Sequence, residues 1–416
     1  MSQLGPTCDN SVQETTVYSL RKAAGRVAAR CGAGLGLGTL GLAATTLLAG
    51  CHNFFVCQKA SCPSGGGSTT TDYVYVSNAT AGSTDISAYD IGNGSLAAIS
   101  GSPFNIGFQP VAMSVSPNDA FLYVATLPGA TNPGIYLYDI NSSGGLSTGN
   151  GGDVLISTTV ASMAISPDGN FLFVINSLGT TLTEYQTNTS TGLLSLVSSF
   201  GIPGAGCTLS GSPVTQTCTV SVAPSGQFVA ASLGTAGTAV FPYSSSSGIT
   251  STSYTLIPSG STTTSPTGDF SVVLDDNNYA YIARTSTLAV YSISSSGAAT
   301  LQSTATYSGS AAPRDVVLSG SQNYVYTANP GAGDISGFSI GSSGALTTLS
   351  GSPFTGPSSV SAIGVDKTGT YMVAAGYNGT SGVQLFTVGT GGVLTLVTSA
   401  GTGTSTAYPA ILALTH

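Results

Sequence analysis

The chain has no tryptophan, two histidines and only 6% charged residues in its 416. Each scarcity excludes something. With Lys+Arg 8 against Asp+Glu 16, and Lys59, Arg284, Arg314 and Lys367 as the sole basic residues beyond position 51, no polybasic patch exists to neutralise phosphates, so nucleic acid is excluded as a partner. The histidines, His52 and His416, stand far apart in the chain, and the cysteines show no CxxC spacing, so the sequence implies no metal and no cofactor. Helical periodicity is missing too. What fills the chain instead is Gly (56 residues), Ser and Thr around short apolar runs, a composition of strands and tight turns.

Four of the eight basic residues, Arg21, Lys22, Arg26 and Arg30, precede the apolar stretch 31–50, which ends at Cys51. That order reads as a secretory signal, and Leu48-Ala49-Gly50-Cys51 resembles a bacterial lipobox, in which the Cys51 thiol accepts lipid and becomes the mature terminus. An uncleaved membrane anchor is the alternative, weakened by the many Gly and Thr in the stretch. The expected organisation is a lipoprotein signal peptide over 1–50, a lipidated cysteine and flexible Gly/Ser/Thr linker over 51–71, and a globular domain over 72–416. The implied location is the exported, membrane-anchored envelope, facing periplasm or cell surface. Cysteine usage agrees, since Cys57 with Cys62 and Cys207 with Cys218 form two short-range pairs suited to disulfides in an oxidising compartment.

From 72 onward the chain repeats. An aromatic residue closes an apolar strand before a Gly/Ser/Asn-rich turn at Tyr89, Tyr138, Tyr185, Tyr243, Tyr291, Phe338 and Phe386, in steps of 49, 47, 58, 48, 47 and 48 residues. A period near fifty with several strands per unit predicts an all-β, seven-bladed propeller with four antiparallel strands per blade. Second strands are read at 73–76, 121–126, 171–176, 228–233, 279–284, 324–329 and 371–376, nearly all apolar because neighbouring blades cover both faces. The first unit lacks its inner strand, whereas 409–414 is an inner strand without a following hairpin. Pairing these terminal strands in one blade would close the ring. Two GSPF segments, 101–104 and 351–354, are read as turn and packing elements.

Segments 73–78 (YVYVSN), 86–104, 115–124 (VSPNDAFLYV) and 165–174 (ISPDGNFLFV) resemble the lactonase family of seven-bladed propellers, similar to bacterial 6-phosphogluconolactonases and fungal muconate-cyclising enzymes, and more loosely YVTN-repeat surface proteins. The resemblance spans the whole expected mature domain through blade-building motifs shared by enzymes and non-enzymes. It implies polar groups, among them histidine, glutamate and arginine, at the channel mouth. Here His52 falls beside the lipidation site, His416 ends the sequence, and Glu184, the sole glutamate beyond the signal, reads as a solvated blade-face residue.

Because inner and second strands run antiparallel, the exit of one and the entry of the other share a mouth. Aligning the blades places Asn78, Asn176, Arg284 and Asn329 at exits, and Asp269 and Arg314, with Asp315 beside it, at entries. Both arginines beyond the signal then converge in adjacent blades, and this set is the expected ligand site, with guanidinium forks suited to a carboxylate or phosphate. Structural Arg–Asp pairing is the alternative. The leading expectation is a lipid-anchored propeller that binds a small anionic sugar, or an envelope protein or polysaccharide, with a degenerate catalytic site. Hydrolysis of 6-phosphogluconolactone or a related sugar lactone, and a structural or adhesive surface role, are the alternatives.

Overall fold

A computed structural model describes residues 72–78, 83–203, 207, 218–260, 268–307, 313–377, 382–401 and 410–416. The chain divides into two compact units, 1–63 and 64–416, and every described residue lies in the second. The signal, Cys51, Cys57, Cys62 and Pro409 lie outside the described residues.

Alternating apolar runs and turns build seven antiparallel sheets. Numbered by their second strands, blade 1 comprises Leu412–Leu414, Tyr73–Ser77, Asp85–Asp90 and Ala97–Ala98. Blade 2 runs from Pro110 to Thr148, blade 3 from Val160 to Gly201 and blade 4 from Cys218 to Ile257. Blade 5 spans Asp269–Thr306, blade 6 Asp315–Thr355 and blade 7 Val360–Ala400. Each inner strand neighbours the next, and Leu412–Leu414 neighbours the inner strands of both blade 7 and blade 2. The fold is a seven-bladed propeller whose ring closes where Val74, Tyr75 and Val76 pair with Leu414, Ala413 and Leu412. No helix among the described residues is long and apolar enough to cross a membrane.

The core lies in the seams. One apolar cluster joins Tyr75 and Ile86 of blade 1 to Met113, Leu122 and Tyr138 of blade 2. Six of the seven marker aromatics are buried there, Tyr291 being half-buried. Polar ties add direction to these seams: Tyr75 Oη donates to Gly144 O of the next blade at 2.8 Å, Tyr123 Oη to Gly192 O at 3.0 Å and Tyr326 Oη to Gly392 O at 2.8 Å. Those glycines turn with φ of +76°, +70° and +76°, and a Cβ on Gly192 would fall 2.9 Å from Leu137 and Phe121. Only glycine meets both conditions.

Both GSPF segments close outer edges. Ser102 Oγ accepts from Ala88 N and Ser352 Oγ from Gly337 N, each at 2.9 Å, beside cis Ser102–Pro103 and Ser352–Pro353 bonds.

Candidate functional site

The mouth where second strands exit and inner strands enter carries the expected site. Asp269 opens the inner strand of blade 5 directly opposite Arg284 on its second strand, and Arg284 Nε meets Asp269 Oδ1 at 2.9 Å. The pair reaches into blade 4, where Thr238 Oγ1 donates to Asp269 Oδ2 at 2.7 Å and Pro258 O accepts from Arg284 Nη2 at 2.7 Å. Backbone N–H groups of Gly234 and Asp269 also donate to each other's carbonyls across this seam. The Arg284 guanidinium carbon lies 5.5 Å from the Tyr291 ring centre. Burial pushes the Asp269 carboxyl up to about 6, outweighing the pull of Arg284 and Thr238. Desolvation wins because both charges sit in low dielectric. Arg284 is thereby a seam residue, with its fork occupied by protein groups.

The asparagines do comparable local work. Asn176 Oδ1 accepts from Thr180 N at 2.8 Å and Thr181 N at 3.1 Å, Asn78 Oδ1 accepts from Ser87 Oγ at 2.7 Å, and Asn329 Nδ2 donates to Asp334 Oδ1 at 2.7 Å and Ser336 Oγ at 2.8 Å. Each ties the hairpin between second and third strands of its own blade. Thr126 Oγ1, at the same exit, accepts from Gly134 N at 2.9 Å. The exit register expected from the sequence is therefore real, and its repeated polar residue fastens the turn.

Asp315 faces along the channel wall. Its Oδ2 accepts from Ile363 N of blade 7 at 3.0 Å and its Oδ1 from Val316 N at 2.9 Å. Burial drives this carboxyl up to about 6, held back by those N–H groups and Ser271. Two hydroxyls at the same register act alike: Ser162 Oγ accepts from Val220 N and Thr219 Oγ1 from Val272 N, each at 3.1 Å. Inner strands expose unpaired N–H groups to the channel, and these side chains satisfy them from the preceding blade. These ties join blade 3 to blade 4, blade 4 to blade 5 and blade 6 to blade 7, and were not anticipated; their signal is a hydroxyl or carboxylate four positions before the inner-strand turn, at Ser162, Thr219 and Asp315, against Ala112, Ala362 and Ile411 in blades 2, 7 and 1.

Arg314 precedes Asp315 and is half-buried; burial lowers its pKa, opposed by the nearby Tyr377. Its backbone N donates to Ala328 O at 2.9 Å. Cys207 and Cys218 are joined by a disulfide on the same side, with Cα atoms 5.1 Å apart.

Glu184 corrects the sequence reading. It is 1% exposed, sits between blades 3 and 4, and its Oε1 accepts from Ile249 N at 2.9 Å. Blade 3 has Phe173 where four other blades carry tyrosine, at Tyr75, Tyr123, Tyr281 and Tyr326, three of them tied to the next blade, and Glu184 supplies a polar tie across this seam beside Gly248. Burial raises its carboxyl, against the Ile249 hydrogen bond. At the opposite mouth, Lys367 Nζ meets Asp72 Oδ1 at 2.7 Å, and Asp119 Oδ1 accepts from His416 N at 2.6 Å. Among the described residues no cluster of three His, Cys, Asp or Glu could hold a metal ion.

These features define the class: a seven-bladed propeller whose mouth is built largely from seam and hairpin ties. No protein-family model matches the chain, and no curated protein matches its sequence. Solved structures share the fold. A 6-phosphogluconolactonase candidate from Bacteroides fragilis aligns at TM-score 0.65 and 16% identity over 85% of this chain and 100% of that one. The periplasmic gluconolactonase of Pseudomonas aeruginosa aligns at TM-score 0.62 and 15% identity over 83% and 99%, and a Lactobacillus plantarum protein at 0.61 and 17% over 83% and 99%.

Proposed function

We propose that this is an exported propeller, lipid-anchored through Cys51, that binds a ligand or partner at its exit mouth without hydrolysing it. The observation that carries the reading is the engagement of its acid–base groups: Asp269 with Arg284 and Thr238, Asp315 with two backbone N–H groups, and Glu184 with Ile249 N. A general base must reach the proton it removes, and these carboxylates already accept from protein donors. Within the expected set, Arg314 is the guanidinium assigned to ligand recognition, because it stands half-buried at the entry of the blade 6 inner strand, next to Asp315. An anionic sugar acid fits such a fork. The test is calorimetric titration of 6-phosphogluconate into wild type, Arg314→Ala and Arg284→Ala. Binding that survives in correctly folded Arg284→Ala and is lost in Arg314→Ala supports the reading; equal binding by all three overturns the site.

A second reading, hydrolysis of a sugar lactone, is favoured by the fold shared with proteins described as gluconolactonases. It requires Asp315 to leave Ile363 N and serve as base, so Asp315→Asn would abolish turnover.

A further inference from the structure

The outer edges of the blades fall into two kinds. Blades 1, 4 and 6 interrupt their fourth strand, as in Ala97–Ala98 with Phe104–Asn105, Gly248–Ile249 with Thr255–Ile257, and Leu346–Thr348 with Phe354–Thr355, and blade 2 likewise has Leu146–Thr148 and a separate bridge from Ile156 to Ile135. Blades 3, 5 and 7 end instead in continuous strands, Leu194–Gly201, Ala299–Thr306 and Leu394–Ala400, each hydrogen-bonded to a third strand and terminal in its sheet. None of the three contains a charged residue or proline. Short strands, lysine and proline are the devices that keep sheet edges from pairing with other chains, and among the described residues these edges have only a bulge.

The bulge falls at one register in all three. Leu196 faces Tyr185, Leu301 faces Tyr291 and Leu396 faces Phe386, and the inserted residue is Val197, Gln302 or Val397. In blades 3 and 7 it sets two adjacent apolar side chains outward, Leu196 at 67% and Val197 at 44% exposure, Leu396 at 52% and Val397 at 41%. The two segments are near copies, LSLVSS at 194–199 and LTLVTS at 394–399. Blade 5 breaks the apolar pair with Gln302.

We infer that the outer edges of blades 3 and 7 are self-association surfaces, and that the occupant is a second copy of this chain. Laid antiparallel, identical uncharged edges set Leu and Val against Leu and Val, and Ser and Thr against their like, with no charge to repel. A charged partner would find no complementary group in either strand. Seven or eight residues span about 25 Å, and a strip about 10 Å wide covers roughly 250 Å² per partner, well under the ~800 Å² of a stable interface. Single contacts are therefore weak, and the two edges together favour lateral assembly wherever the protein is concentrated.

Sedimentation velocity of the full chain over a concentration series tests this, with Val197→Lys/Val397→Lys and Gln302→Lys compared. Wild type and Gln302→Lys should associate with rising concentration, and the double variant should be weakened about tenfold or more by the unpaired buried charge. Hydrogen exchange on wild type supplies a measurement independent of any variant: amides within 198–201 and 398–400 should gain protection as concentration rises. A monomer at all concentrations, unchanged association of the double variant, or edge amides equally protected at every concentration would overturn the inference.

Discussion

At the scale of single residues, the scarce charges are mostly engaged in structure. Only four basic residues stand beyond position 51, and Arg284 is locked in a seam while Lys367 meets Asp72. Removing Arg284 would leave Asp269, which is fully buried, without its cation. Asp315 gives a sharper prediction because its shift has a sign. With its carboxyl raised from 3.8 to about 6, the folded state binds this proton more tightly than the unfolded chain between those pH values. Stability from this group is therefore greatest below about 4, declines as pH rises to about 6, and stays reduced above, by up to about 3 kcal/mol. Asp315→Asn should flatten that decline in denaturant midpoints measured from pH 4 to 7, leaving the parallel slope from Asp269. An unchanged slope would show that Asp315 titrates near its ordinary value in the folded protein.

At the scale of elements, much was legible and the reasons are local. Second strands, the marker aromatics and the terminal clasp follow from period-fifty apolar runs, and the aligned exit register follows from antiparallel hairpins. The roles at that register did not follow. Whether Asn176 or Asn329 meets a ligand or its own turn depends on a turn conformation that spacing leaves open, and the burial of Glu184 depends on the neighbouring blade, whose Ile249 N donates to it. Seam glycines were equally hidden, since their need arises from a neighbouring blade about seventy residues back. Gly192→Ala should destabilise by about 2 kcal/mol or more, combining a positive φ with overlap on Leu137 and Phe121, and should lower the melting temperature by several degrees. Breaking the Cys207–Cys218 disulfide, which closes a loop of sequence separation 11, should cost about 3 kcal/mol, read as a lower denaturant midpoint on reduction.

For the propeller as a whole, the ring explains how a chain with so little charge holds together: apolar seams, glycine turns capped by tyrosine hydroxyls, and hydroxyl and carboxylate ties along the channel. The same economy bears on function. The fold is similar to that of solved proteins described as gluconolactonases, and Glu184 and Asp315 accept hydrogen bonds from backbone N–H groups of neighbouring blades. The most direct test is the rate of 6-phosphogluconolactone ring opening at pH 7, followed with and without stoichiometric protein, with Asp315→Asn as comparator. The account predicts the uncatalysed rate in every case; saturable acceleration by wild type that disappears in Asp315→Asn would contradict it.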